Sequence, residues 1–328
     1  MLKITRIKLA VQIIATSIIV YLGYWVTQMI SWKSISLTLP TLSCYYLDHR
    51  IASCYLRSLQ ETLSAGWSVK YTNVIAPTIL LLIFGLIVGR AWCAWVCPVG
   101  LVQDVFTYIR KFLKASYYNL PEKLKVTAAI VKWSMLFALV FISVGITIPN
   151  FFLSVYQMDL FTPFCQICPS REIAPVFTGN FQKMWAYDDM STISKVMSYL
   201  AMGVFIFYLL TTSFIRRMWC RLCPMGALLG LLNRISFLSL RKEGVRCTKC
   251  GVCLRACPVQ VKEVYEEKKK ERLTTHDCTL CLRCVEMCPQ DKTLRASFFK
   301  KTIVTSTYKR FLKSGAVGPI SDKRRNLQ

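Results

Sequence analysis

Apolar residues gather in four long runs, Leu9–Ile30, Val74–Gly89, Val126–Ile148 and Ile193–Ile215, and the charged residues fall mostly outside them. A helix needs about 20 mostly apolar residues to cross a bilayer. The pattern therefore predicts four transmembrane helices, the second of them short even if it starts at Tyr71. The first run is too long for a signal peptide and lacks a small-residue cleavage site, so it reads as an uncleaved anchor. Lys132 lies near the start of the third run, where its stem is expected to snorkel toward the interface.

The second and fourth runs end alike. Residues 90–100 read RAWCAWVCPVG and residues 216–226 read RRMWCRLCPMG. Each is followed by an apolar stretch broken by polar residues, PVGLVQDVFTYIRKFLKA and PMGALLGLLNRISFLSL. Proline suits the first turn of a helix, where its missing N–H is not needed. Both stretches therefore read as short interfacial helices. The fold expected is mainly α: four transmembrane helices in two repeat halves, each half ending in a thiol pair and an interfacial helix.

A different pattern follows. Residues 247–258 read CTKCGVCLRACP and residues 278–289 read CTLCLRCVEMCP, the run C-x2-C-x2-C-x3-C-P twice over. A cubane cluster needs four thiolates; one tight loop supplies three and the fourth comes from elsewhere, in two-cluster ferredoxins from the other run. The expected ligand sets are Cys247, Cys250, Cys253 and Cys288 for one [4Fe–4S] cluster, and Cys278, Cys281, Cys284 and Cys257 for the second. Structural zinc usually takes two separated pairs and gains nothing from a third close cysteine. The domain division expected is 1–240 transmembrane with the thiol pairs, 241–295 an α+β two-cluster bacterial-ferredoxin domain, and 296–328 a basic tail.

Composition and charge then fix the orientation. The chain of 328 residues is 54% hydrophobic with a formal charge of +25, and its mean hydropathy is +0.41. The residues after the fourth span hold 25 of the 42 Lys and Arg. Lys3, Arg6 and Lys8 precede the first span, and Arg90, Arg110, Lys111, Lys114, Lys123 and Lys125 crowd the second connection. The positive-inside rule puts both termini in the cytoplasm of a multi-pass inner-membrane protein. Membrane lipid is thus an expected partner and nucleic acid is not. Two histidines and the absence of CxxCH exclude multi-haem and c-type haem chemistry among the 16 cysteines.

The spans, the repeated Cys-Pro elements behind Arg and Trp, and the terminal dicluster runs together resemble the NapH-type family. Its members are membrane ferredoxin-like quinol dehydrogenase subunits, first associated with periplasmic nitrate reductase. The resemblance implies electron transfer between the quinone pool and iron–sulfur or cytochrome subunits of a redox complex, with quinol as substrate. The alternative is a maturation or redox-sensing protein that supports assembly of a respiratory metalloenzyme. Cys93, Cys97, Cys220 and Cys223 are expected to share one further cluster or thiolate site. Trp92, Trp95 and Trp219 read as interface anchors. Arg90, Arg216 and Arg217 read either as anchors of the same kind or as partners of thiolate charge.

Four more cysteines lie in the external loops: Cys44 and Cys54 in CYYLDHRIASC, Cys165 and Cys168 in FCQICPSREIAP. They are the candidates for an outer redox or metal site, against the alternative of disulfides, which that compartment permits. His49 titrates near neutrality and is the candidate acceptor of a quinol proton.

Overall fold

The computed structural model describes residues 3–18, 37–39, 52–64, 72–115, 118–148, 152, 154–156, 159–179 and 191–312. The chain forms two compact units. One comprises Met1–Val11, Gly85–Trp95 and Leu228–Gln328, the other Gln12–Phe84 and Val96–Ala227.

In the first unit a three-stranded antiparallel sheet runs in the order Leu238–Lys242, Leu294–Phe298, Lys301–Thr305. Leu240 pairs with Ala296 at its centre, and both are buried. Both cysteine runs lie between the first two strands, so strand pairing closes the segment that carries them. The sheet extends on both sides of residues 241–295, because strands on either side of the cysteines are needed to complete it.

The helix Lys3–Ser17 begins in this unit. Glu286, beside Cys284, accepts the Ile4 N–H at 2.6 Å, the Thr5 N–H at 3.2 Å and the Thr5 hydroxyl at 2.7 Å. A carboxylate here satisfies amides that a helix start leaves without partners, and it sits at the positive end of the helix dipole. Gly89 turns the chain after the second apolar run at φ +59°, and a side chain there would meet the Asn233 Oδ1 at 2.4 Å. That close approach lets the Arg90 N–H reach the Asn233 Oδ1 at 3.0 Å.

The second unit is helical, with a short parallel pair of strands, Leu37–Leu39 and Ala52–Cys54. Glu122–Gly145 and Thr192–Phe214, of 24 and 23 residues, are long and apolar enough to cross a membrane, and only 28% and 17% of their apolar windows are buried. Their buried positions recur with helical spacing: Ala128, Lys132, Leu139 and Ser143 on one, Ser198, Ala201, Tyr208 and Thr212 on the other. Phe137, Phe141, Phe207 and Phe214 face outward. Small and polar side chains inside with large apolar ones outside is the packing expected of helices in lipid. The second apolar run forms the helix Thr72–Val88, of 17 residues. Of the first, residues up to 18 are described, all helical.

Two expectations are corrected. Lys132 is 3% exposed, on the inward stripe and not at an interface, because an inward charge finds protein partners whereas lipid offers none. The helix Pro224–Asn233 is not a surface helix: Met225, Ala227 and Leu229 are buried. Pro98–Phe112 keeps the amphipathic form, burying Val99, Leu101, Gln103 and Asp104 and ending in Arg110 and Lys111.

Arg217 and Asp104 form a buried pair, with Arg217 Nε donating to Asp104 Oδ1 at 3.0 Å. Asp104→Ala leaves the guanidinium buried without its carboxylate and should destabilise the fold by about 3–5 kcal/mol. Denaturant unfolding in detergent checks this. The double change Asp104→Leu with Arg217→Met should recover much of the loss, and no recovery would show that the pair is not the source.

Candidate iron–sulfur site

In the first unit the eight cysteines of the two runs separate into two cavities. One, of about 350 Å³ with its open mouth included, is lined by Cys247, Cys250, Cys253 and Cys288. The other, of about 350 Å³ on the same measure, is lined by Cys257, Cys278, Cys281 and Cys284. The fourth cysteine of each run thus faces the other run's first three. Among the described residues no three His, Cys, Asp or Glu are gathered closely enough for a single metal ion, so the thiols stand around each cavity and do not converge on a point.

The loops reach this shape through the same two backbone reversals. Lys249 and Leu280, each two residues after the first cysteine of its run, have φ of 51° and 48°. Gly251 and Leu282, two residues further on, have φ of 71° and 59°. Left-handed residues among right-handed ones turn successive N–H groups inward and form a concavity that suits anionic groups, iron–sulfur centres among them. Glycine takes this conformation without cost; Lys249, Leu280 and Leu282 take it against steric preference.

Burial pushes the thiols of Cys253 and Cys278 up to about 12. Buried Lys242 opposes that rise at Cys253, and the Leu280 backbone and Arg90 oppose it at Cys278. Burial likewise raises Cys284 and Cys288, with Gln290 and Ser306 hydrogen-bonding to Cys288 against it. Buried thiols of this kind bind metal as thiolates and release their protons on doing so. Four thiols per cavity, the Val261 N–H on Cys257 Sγ at 3.4 Å and one cation beside each set fit a [4Fe–4S] cluster.

Each of the two cations is held by carbonyls. Lys242 Nζ donates to Val264, Tyr265 and Glu267 at 2.9, 3.2 and 2.7 Å. Arg90, 1% exposed, donates from Nη1 to the His276 carbonyl at 2.6 Å. Trp95 Nε1 donates to the Leu280 carbonyl at 3.1 Å, and Asn233 Nδ2 donates to the Thr275 and Cys278 carbonyls at 2.6 and 2.8 Å. Arg90 and Trp95 therefore pin the second cysteine loop and are not interface anchors. Trp219, 6% exposed, packs edge-on against Tyr208 inside the second unit.

Cys93 is buried in the short helix Ala91–Trp95 of the first unit. Cys97, Cys220 and Cys223 belong to the second. Burial raises the Cys223 thiol to about 12, and Cys97 and Cys220 are near enough to add to the effect. Cys97, Cys168, Cys223 and Cys257 share one backbone shape, with φ/ψ of −60/123, −71/133, −64/125 and −70/120. Each precedes proline, which forces its neighbour into the extended region.

Cys44 and His49 lie outside the described residues. The sequence reading passed over Lys242, Asn233, Gln60, Gln103 and Glu172. For Gln103 the available signal was a polar residue on the mostly apolar buried side of Pro98–Phe112; the largely polar helix Tyr55–Ser64 offered none for Gln60. Glu172 is fully buried, with Arg171 Nε 3.7 Å from its carboxylate, and burial raises its pKa.

Residues 71–116 and 197–246 match a family model described as a 4Fe–4S binding domain, and residues 239–289 match a 4Fe–4S dicluster domain. Over 253 residues the chain is 27% identical to YccM of Escherichia coli (strain K12), whose electron-transport role is itself a proposal; the match covers 75% of this chain and 62% of that one. It is 27% identical to the methylamine utilization ferredoxin-type protein MauN of Methylobacillus flagellatus, over 60% of this chain and 58% of that one. It is 24% identical to the ferredoxin-type protein NapH of Escherichia coli, over 70% of each. The chain thus spans less than two thirds of the length of YccM and MauN. No solved structure matches.

The cysteine-lined cavities and the dicluster match define an iron–sulfur protein of the ferredoxin type. Within that class the 4Fe–4S matches and the likeness to the ferredoxin-type proteins NapH and MauN support a place in the NapH-type 4Fe–4S protein family.

Replacing Lys242 by Met removes the cation beside the Cys247, Cys250, Cys253 and Cys288 set. The midpoint potential read there by EPR-monitored titration should fall by about 60 mV or more, a tenfold change for one electron. An unchanged potential would mean that Lys242 only supports the surrounding carbonyls.

Proposed function

We propose that this chain is a multi-pass membrane electron carrier that draws electrons from quinol and delivers them through two [4Fe–4S] clusters to a partner redox protein. The observation that carries the reading is the division of eight cysteines into two four-thiol cavities within a segment matching a dicluster domain. Cys247, Cys250, Cys253 and Cys288 hold one cluster; Cys257, Cys278, Cys281 and Cys284 hold the other. When bound, each cluster accepts and releases one electron. The chain's own residues set how readily it does so: Lys242 and Arg90 supply positive charge, and the loop amides donate toward sulfur.

The names of MauN and NapH as ferredoxin-type proteins support the electron-transfer part. The quinol part rests on the family resemblance and on the membrane character of the helices. The proposed topology has four spans in two repeat halves, residues 1–240 forming the membrane domain, 241–295 the dicluster domain and 296–328 a basic tail. The contact of Glu286 with Ile4 and Thr5 supports an arrangement with the start of the chain and the dicluster segment on one side. By the positive-inside rule that side is the cytoplasm. Cys97, Cys220 and Cys223 form a further thiolate site, which the matched 4Fe–4S segments include. Quinol oxidation also releases two protons, and Glu172, a buried carboxyl of raised pKa, is suited to accept one.

Purified protein in lipid vesicles should contain about eight or more iron per chain, as two or more four-iron clusters require. A quinol analogue should reduce those clusters. Clusters that dithionite reduces but quinols never do would turn the reading toward a maturation or sensing role. Cys250→Ser should remove one cluster signal, keep the other and leave membrane insertion intact.

A further inference from the structure

Two glutamines of the second unit make the same set of contacts. Gln103, fully buried in the helix Pro98–Phe112, donates from Nε2 to Cys220 Sγ at 3.6 Å and to the Val99 carbonyl at 3.4 Å. Its Oε1 accepts the Trp219 N–H at 3.2 Å. Gln60, fully buried in the helix Tyr55–Ser64, donates from Nε2 to Cys165 Sγ at 3.3 Å and to the Leu56 carbonyl at 2.8 Å. Its Oε1 accepts the Phe164 N–H at 2.8 Å. In each case the amide donates to its own helix four residues back and to a cysteine sulfur, and accepts from the residue just before that cysteine.

The correspondence extends along the chain. Gln60 stands six residues after Cys54, as Gln103 stands six after Cys97, and each of these cysteines immediately precedes its helix. Cys165 and Cys220 each open a CxxCP element whose second cysteine, Cys168 or Cys223, is extended ahead of proline. A glutamine gripping a short cysteine helix by both ends of its amide fixes where that sulfur points. Built twice, it marks a common construction. The matched 4Fe–4S binding segments include Cys97, Cys220 and Cys223 but none of Cys54, Cys165 or Cys168.

We propose that Cys54, Cys165 and Cys168 hold a second iron–sulfur centre within this unit, constructed like the Cys97, Cys220 and Cys223 group, with Gln60 as its positioning residue. The thiol chemistry suits it. Cys54 is half-buried and directly precedes the helix whose Gln60 holds the Cys165 sulfur. An N–H donor on a ligand sulfur favours the more negative, reduced state of a centre and so raises its potential. Passage of electrons between the two groups rests on the electron-transfer reading; occupancy of the site does not.

The test uses the full-length protein purified from membranes, with iron, sulfide and zinc counted and EPR spectra recorded at graded potentials. Cys165→Ala with Cys168→Ala should lose iron and sulfide together as one whole centre while both dicluster signals persist. Retention of all iron, or loss of zinc in place of iron and sulfide, would overturn the proposal. So would thiol labelling of wild type at these positions only after mild reduction, which would establish disulfides. Gln60→Leu keeps every thiol, and it should shift one signal outside the dicluster pair to more negative potential. Gln103→Leu should shift a different one. If Gln60→Leu moves no potential, Gln60 does not tune a centre and the inference fails. Clusters that quinols never reduce, or a Cys250→Ser protein that keeps both dicluster signals, bear on the proposed function alone, so the two failures are distinguishable.

Discussion

Sulfur buried away from water has to be supplied with hydrogen-bond donors and positive charge, and much of this structure answers to that requirement. A thiol in an apolar pocket resists ionisation, and the rise of Cys54, Cys223, Cys253 and Cys278 to about 12 expresses that resistance. A cluster ligand must nevertheless be a thiolate. The dicluster segment meets the demand with the Val261 N–H on Cys257 and with Lys242 and Arg90 set beside the sulfurs. The second unit meets it with side-chain amides, Gln60 on Cys165 and Gln103 on Cys220.

The supporting groups are in turn held by others. Arg90 can oppose the rise of the Cys278 thiol because Gly89 turns the chain there and Asn233 bonds both the Arg90 amide and the Cys278 carbonyl. Lys242 keeps its place through three carbonyls. These contacts explain why Arg and Trp recur beside the thiol pairs without being membrane anchors. In the first copy they dock on the second cysteine loop; in the second, Arg217 pairs with Asp104 and Trp219 packs on Tyr208.

Proline after cysteine has a mechanical role at four of these positions. It forces the cysteine into the extended region and then suits the start of the following segment. The sulfur is thereby placed at the junction of two short elements, where a group from another helix can reach it. Cys97, Cys168, Cys223 and Cys257 have this geometry whether they lie in the dicluster segment or among the helices.

Whatever depends on near neighbours was legible in the chain before folding. Apolar runs of sufficient length became the helices Glu122–Gly145 and Thr192–Phe214, since helix formation and lipid compatibility are set residue by residue. Three cysteines at two-residue spacing mark a compact loop for the same reason, and each such loop lines a cavity together with the fourth cysteine of the other run. Folding alone establishes that Glu286 accepts the N–H of Ile4, 282 residues earlier, that Lys132 faces inward, and that Gln60 and Gln103 grip matching cysteines. Each of these depends on which face of one element meets which face of another. A single glutamine or glutamate in the chain carries no local mark of the partner that folding brings to it.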